Sequence, residues 1–470
     1  MISHYCCRIR LGFAISIARL SLFLPFSPVA LLSTSIMCNV EGPPLKKRKP
    51  QPLTDVDPLP IYLDYNATTP LCAEAWSAMS KVHDVWGNPS STHPYGLSAK
   101  YHLDVARQLV TDALKAASPD CIIFTSGGTE SNNLAIVGGA KGVREAHPER
   151  KYIISTNVEH PAVAEVLKHM TEGKFEFLLL PVSSVTGMVE PKSFQSFLEN
   201  AVPGGPQNVA LVTIMFANNE LGSVNPIKEL VRITKEVCGK ACLFHTDAAQ
   251  ALGKVPVNVE ELQVDLLSVC GHKFYAPKGS GALYIKKGVK VHNVTYGAGH
   301  EKGIRPGTEN VLVSTGMATA LYFAVESIDR FTTNMRNTRD ELFKVLKEEL
   351  AKVNMDFVVN GDIAVALPNT LNCAVFKMIP NHVTGDDVTY ISAQRLLMAV
   401  GDKVCMSAGS ACHSTTDGEI EVSAPLKAVN VDLTRAIGTL RISTGRETTM
   451  ADVRRAARVV ARTAAQQFAE

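Results

Sequence analysis

From Ile61 onward, short apolar runs alternate with stretches of helical periodicity. Cys121-Ile122-Ile123-Phe124, Tyr152-Ile153-Ile154-Ser155, Phe177-Leu178-Leu179-Leu180, Val209 to Ile214, Leu243-Phe244 and Val264 to Cys270 lack the alternation of a half-buried strand. Their length and uniform apolarity predict strands buried on both faces. Between several of them the period changes. Ser98 to Ala117 places Leu103, Ala106, Val110, Ala113 and Ala117 on one helical face, and Pro119 closes it. This order predicts an α/β fold with a mostly parallel sheet covered on both sides. Helical pattern dominates from Val311 to Val353, and a smaller α+β unit follows from about Asp356. Its last helix opens at Thr449-x-x-Asp452 and turns Val453, Ala456, Ala457 and Val460 inward. Three parts are expected: a leader at 1–60, a large domain at 61–325 and a small domain at 326–470. The opening residues of the large domain are free to pack on the small one.

The 470 residues leave ample chain for large cores. An apolar fraction of 46% and a charged fraction of 20% are those of a globular protein. A net charge of +2 gives no reason to expect nucleic acid or a membrane surface as partner. The eleven cysteines are scattered, odd in number and without a Cys-x-x-Cys pair. Reduced thiols in a cytosolic compartment fit best, and the spacings of a metal site are missing. Met1 to Val40 contains no acid and carries Arg8, Arg10 and Arg19. That suits a mitochondrial presequence, the alternative to the cytosol, or an upstream extension if translation starts at Met37. Arg19, Pro25 and Pro28 interrupt the apolar run from Leu11 to Ile36, which argues against a membrane span. Lys46-Lys47-Arg48-Lys49 reads as a solvated basic linker rather than a nuclear address.

The strand-like run ending at Cys270 leads directly into Gly271-His272-Lys273. Upstream, another apolar run leads through His245-Thr246 to Asp247. A strand-end lysine with a strand-end acid is the pairing that pyridoxal phosphate chemistry needs. The amine bonds the aldehyde, and the carboxylate keeps the pyridine nitrogen protonated. Thr125-Ser126-Gly127-Gly128-Thr129-Glu130 follows a strand and opens a helix, which suits a phosphate. His160 follows the strand at Tyr152 and is placed to stack on a ring. Asn218-Asn219-Glu220 offers amides at the same edge. These groups converge because ligands of open α/β sheets bind at the carboxyl ends of the strands.

Two further features lie in the smaller unit. Small residues flank one cysteine in Met406-Ser407-Ala408-Gly409-Ser410-Ala411-Cys412-His413-Ser414, which suits a thiol carried into a site and out again. Arg441, flanked by apolar residues, suits either a clamp on an amino acid carboxylate or a structural salt bridge.

With these residues assembled, the chain resembles the cysteine desulfurase and selenocysteine lyase family of the class V aminotransferase group. The resemblance runs from about Ile61 to Arg458. It rests on Leu63-Asp64-Tyr65-Asn66-Ala67-Thr68-Thr69-Pro70, Gly87-Asn88-Pro89-Ser90-Ser91, Ser126-Gly127-Gly128-Thr129-Glu130, Glu159-His160, Asn218-Asn219-Glu220, His245-Thr246-Asp247-Ala248-Ala249-Gln250, Gly271-His272-Lys273, Arg305-Pro306-Gly307-Thr308-Glu309-Asn310 and the Cys412 loop. It implies a fold-type I transferase: a large domain with a mostly parallel seven-stranded sheet, a smaller α+β domain, pyridoxal 5'-phosphate as cofactor and a homodimer. By position, Lys273 would be the Schiff-base lysine, Asp247 the ring-nitrogen partner and His160 the stacking residue. Gln250 and Asn218 would face the ring hydroxyl, with Asn218 also at the substrate. Gly128, Thr129 and His272 would hold the phosphate, with Thr308 reaching over from the other subunit. Arg441 would bind the substrate carboxylate, and Cys412 would take part in catalysis.

One position departs from the desulfurase pattern: Cys270 stands where mitochondrial-type members usually carry a phosphate-binding serine. That departure, the Asp64-Tyr65-Asn66 opening, the Arg305-Pro306-Gly307 run and His413-Ser414 look like the selenocysteine lyase branch. The expectation is therefore removal of selenium from L-selenocysteine, giving L-alanine and selenide or elemental selenium. The alternative is a cysteine desulfurase that hands persulfide sulfur to an acceptor protein. Ser407-Ala408-Gly409-Ser410-Ala411-Cys412 is close to the desulfurase loop and favours that alternative.

Overall fold

The uniformly apolar runs form the strands of a seven-stranded sheet. The computed structural model describes residues 59–170, 175–379, 387–409 and 421–469. Most of the expected leader, its basic run, and Cys412 with His413 lie outside the described residues. The strands are β1 (Ile61–Tyr62), β2 (Ile122–Thr125), β3 (Tyr152–Thr156), β4 (Glu176–Leu180), β5 (Val209–Thr213), β6 (Leu243–Asp247), β7 (Leu266–Cys270), β8 (Gly281–Ile285), β9 (Met355–Val359), β10 (Thr370–Ile379), β11 (Asp387–Tyr390), β12 (Val404–Cys405), β13 (Ser407–Ala408) and β14 (Thr439–Ser443).

The large sheet has the order β2-β8-β7-β6-β5-β3-β4. Strands β3 to β7 run parallel, and β8 lies antiparallel between β7 and β2. Every residue of β5, β6, β7 and β8 is buried, so no polar alternation marks them. Adjacent residues still face opposite ways. Ile154, Val212, Phe244 and Leu267 join one core cluster, and their neighbours Ile153, Leu211, Leu243 and Leu266 join another. β8 is not among the predicted strands: its four apolar residues follow a glycine-rich turn and make too short a signal.

The helix expected over Ser98–Ala117 spans Pro94–Leu114. Pro94 suits the first helical position, and the His93 ring accepts the Gly96 N–H. Lys115 then turns left-handed (φ 57°) and ends the helix before Ala117. The long helical block is two helices, Val311–Glu326 and Ile328–Ala351, bent by 75°. Among the described residues no single helix is long and apolar enough to cross a membrane.

A second sheet joins β9, β10, β11, β13 and β14, all antiparallel, with β10 pairing three of them. The last helix, Met450–Gln466, packs on it and begins at the expected capping box of Thr449 and Asp452. The opening segment also belongs here. β1 pairs with β12, and Ile61 and Leu63 join the core around Leu371, Leu440 and Val453. The chain then crosses to the large sheet, where the Thr69 N–H bonds the His272 carbonyl at 2.9 Å. This crossing sets residues 64–69 against the end of β7.

Candidate active site

A cavity of about 520 Å³ opens at the carboxyl ends of the parallel strands. Its wall brings together Lys273, Asp247, Gln250, His160, Gly128, Thr129 and His272. Asp247 ends β6, and Lys273 sits in the short helical turn after β7.

Asp247 is buried and oriented by two donors. Asn132 Nδ2 bonds Oδ2 at 2.7 Å, and the Ala249 N–H bonds Oδ1 at 2.8 Å. Lys273 Nζ donates to the carbonyls of Asn66 and Ala67 at 2.7 and 2.8 Å. Burial holds its amine below the usual lysine range, and the Arg441 charge adds to that. His160 Nδ1 accepts the Ala162 N–H at 3.0 Å, so the proton of the neutral ring sits on Nε2. Burial, with the Lys273 charge, lowers its pKa and keeps the ring neutral. His272 is likewise held down, to about 4, by burial and by Lys273 and Lys278.

The glycine loop also lines the cavity. Gly127 has φ +153°, a conformation that side chains rarely adopt. A Cβ on Gly128 would lie 3.0 Å from Cys270 Cβ and 3.2 Å from its sulfur, so the loop settles closely on β7 and a side chain here would press on Cys270. Amide groups from here open the helical stretch that begins at Gly128, where first-turn N–H groups lack helical partners. Burial pushes the Cys270 thiol up.

Three expected site residues do not line this cavity. Asn218 is buried behind it. Its Oδ1 caps the N–H groups of Glu220 and Leu221, and its Nδ2 bonds the Val158 carbonyl. Its neighbour Asn219 reaches the wall instead. Arg441 also stands behind Asn219, whose carbonyl it holds at 3.2 Å, and it pairs with Asp64 at 2.8 Å. Thr308 is exposed and does not reach the cavity of its own chain. Cys412 lies outside the described residues.

Other site residues had no role assigned from sequence. Asn132 lies one helical turn beyond Gly128, a spacing that points it back at the cavity mouth. His245 is fully buried between Thr213 and Ser268, and burial lowers its pKa to about 3. Asn66 shows in sequence only as part of a motif and Lys254 not at all, because the contact that joins them spans distant parts of the chain.

Residues 61–456 match the family described as Aminotransferase class-V. The chain belongs to the aminotransferase class-V family. Among this family's members, "Cysteine desulfurase IscS" of Dictyoglomus turgidum is 38% identical over 395 residues, covering 84% of this chain and 91% of the relative. Of solved structures, a "NIFS-LIKE PROTEIN" superposes with TM-score 0.72 at 31% identity, covering 86% of this chain and 99% of its own. "SspA in complex with cysteine" superposes with TM-score 0.65 at 28% identity, covering 83% of this chain and 100% of its own. The class-V fold is thus the fold-type I architecture, and the enzyme depends on pyridoxal phosphate. The cavity fits that cofactor. It offers an amine for the aldehyde, a buried carboxylate for the ring nitrogen, an imidazole for the ring face and a glycine-cleared helix start for the phosphate. The relatives carry the desulfurase name, so they support sulfur chemistry over the selenium reading expected from the branch features.

Proposed function

We propose that this protein is a cysteine desulfurase, which removes the sulfur of L-cysteine and leaves L-alanine. The observation that carries this is the shared cavity of Lys273 and Asp247 at neighbouring strand ends, joined to relatives of that name and to a neighbour in complex with cysteine.

Bound pyridoxal phosphate supplies an electron sink at the substrate α-carbon. Lys273 would hold the cofactor by its amine and, when that amine is free, would move the α-proton. A lowered pKa suits that task, because only the neutral amine takes a proton. Asp247, fixed by Asn132 and Ala249, keeps the ring nitrogen charged. His160, on the cavity wall, would cover the ring face as a neutral imidazole. Gly128, Thr129 and His272 would take the phosphate. Gln250 faces the ring hydroxyl side, and Asn218 acts from behind the wall by fixing the Asn219 turn. Arg441 would bind the substrate carboxylate past Asn219, since it lines no part of the cavity itself and rests on Asp64 and the Asn219 carbonyl.

Cys412 is the sulfur acceptor in this proposal. Its thiolate attacks the substrate sulfur; the S–S bond forms as the Cβ–S bond breaks, and the carbon electrons are protonated to give alanine. Both flanks of its loop are tied near the site. Ser407 pairs with Arg441 across β13 and β14, and Ser423 Oγ donates to Glu220 at 2.7 Å. The sulfur then passes to an acceptor protein.

A homodimer completes the proposal, with Thr308 serving the partner's phosphate site. Leu97, Tyr101 and Val105 share one exposed face of the helix Pro94–Leu114 at one-turn spacing. Trp86 stacks on Tyr95 of the same helix, 74% and 60% exposed. Such an apolar surface suits a subunit contact. The cytosol is the proposed compartment.

Selenocysteine lyase is the second reading, favoured by Cys270. A buried thiol beneath Gly128 supplies no hydroxyl to the phosphate, as the lyase branch implies. Alanine formation from L-cysteine by holoenzyme, Lys273→Ala and Cys412→Ala tests the proposal. Wild-type turnover with loss in both variants supports it. Full turnover by Cys412→Ala contradicts the persulfide role.

A further inference from the structure

Lys254 lies one turn beyond Gln250 and is only 5% exposed. Its amine donates to Gln250 Oε1 at 2.6 Å and to Asn66 Oδ1 at 3.1 Å. Both partners are amide oxygens, and among the described residues no carboxylate pairs with it. Gln250 Nε2 in turn donates to the Asn66 carbonyl at 2.8 Å. That same carbonyl accepts Lys273 Nζ at 2.7 Å. Asn66 is also fixed from the second sheet: Asn369 Nδ2 bonds its Oδ1 at 3.0 Å, its own Nδ2 bonds Thr370 at 2.8 Å, and its N–H bonds Ser443 Oγ at 3.0 Å.

We infer that Lys254 is a positioning residue for Lys273: a buried amine whose hydrogen bonds fix Gln250 and Asn66, and through the Asn66 carbonyl set where the Lys273 amine rests. This rests on the proposed role of Lys273. The charged groups facing Lys254 are Lys273 and Arg441, both cations. Burial first, then these two charges, push its amine well below the usual lysine range. An ammonium here would be desolvated without a counter-ion, whereas a neutral amine keeps both donors. If Lys254 is lost, Gln250 Oε1 loses this donor and its amide is free to turn away from Asn66.

The test uses holoenzyme carrying Lys254→Met, Lys254→Gln and Lys254→Arg. The readouts are the pH midpoint of the visible band of bound cofactor and the steady-state constants for L-cysteine. Lys254→Met is expected to retain cofactor, move the midpoint by about half a pH unit and lower kcat about tenfold with KM little changed. Lys254→Gln, which restores uncharged donors, is expected to recover most of both. Unchanged midpoint and kcat in Lys254→Met overturn the inference. So does recovery by Lys254→Arg but not by Lys254→Gln, which assigns the role to a cation. If Lys254→Met does not fold, the Gln and Arg pair decides alone. A midpoint shift in an enzyme inactive on L-cysteine sinks the proposed substrate and leaves this inference standing.

Discussion

Arg441 of β14 and Asp64 of the opening segment form an ion pair, Nη2 to Oδ1 at 2.8 Å. A second nitrogen holds the Asn219 carbonyl, and Nε is buried without a partner among the described residues. The pair therefore fixes a guanidinium at the seam between both sheets. Lysine would keep the charge and lose the planar fork. Arg441→Lys is predicted to raise KM for the amino acid about tenfold, with a smaller change in kcat. Asp64→Asn is predicted to raise KM about threefold, because the guanidinium loses its charged anchor. Steady-state kinetics check both, and an unchanged KM in each removes Arg441 from substrate binding.

Asp247 receives two N–H donors, an arrangement made for a carboxylate. Asparagine would turn an amide toward one of them. Asp247→Asn is predicted to retain cofactor and lose about a hundredfold in kcat, because the ring nitrogen is no longer held protonated. Lys273→Ala is predicted to lose about a thousandfold or more. Single-turnover alanine formation measures both.

Cys270 offers a sulfur where a hydroxyl would serve a phosphate better. Cys270→Ser is predicted to tighten pyridoxal phosphate about threefold to tenfold, read from the Kd of cofactor-free enzyme. Gly128→Ala is predicted to weaken it, since the new Cβ would meet Cys270 at 3.0 Å.

Two buried groups give opposite pH signatures. His245 titrates near 3 when folded against 6.5 ordinarily, so the unfolded chain binds more protons between those values and stability falls as pH drops through that window. Glu159 is raised by burial from 4.5 to about 8, so the folded chain binds more protons there and stability falls as pH rises toward 8. Between 6.5 and 8 the Glu159 effect stands apart from that of His245. Glu159→Gln is predicted to flatten Tm over that range, and His245→Gln to flatten the loss below 4.5. Thermal melts across pH decide it; parallel Tm profiles for variants and wild type refute the assignment.

Continuous strands and strand-end chemistry were legible because both are local. Lys273 and Asp247 each follow an apolar run that must be buried, so their meeting followed from the parallel sheet. What escaped was non-local. β8 lies among glycines, and its place between β2 and β7 is a matter of pairing rather than pattern. Asn218 and Asn219 are adjacent and identical in type, so sequence does not say which faces the cavity. Arg441 shows in sequence as a clamp or a salt bridge; the structure gives it Asp64, far away in the chain. The roles of Asn66 and Lys254 emerge only once Gln250 and Lys273 meet at the Asn66 carbonyl and Lys254 at its Oδ1.

The most direct measurement is turnover of L-cysteine beside L-selenocysteine at matched concentrations by purified holoenzyme, with alanine and released chalcogen both quantified. A cysteine desulfurase gives alanine from L-cysteine with one sulfur per alanine, at a rate comparable to or above that on L-selenocysteine. Alanine from L-selenocysteine alone, with L-cysteine unturned, would contradict the account and return the protein to the selenium branch.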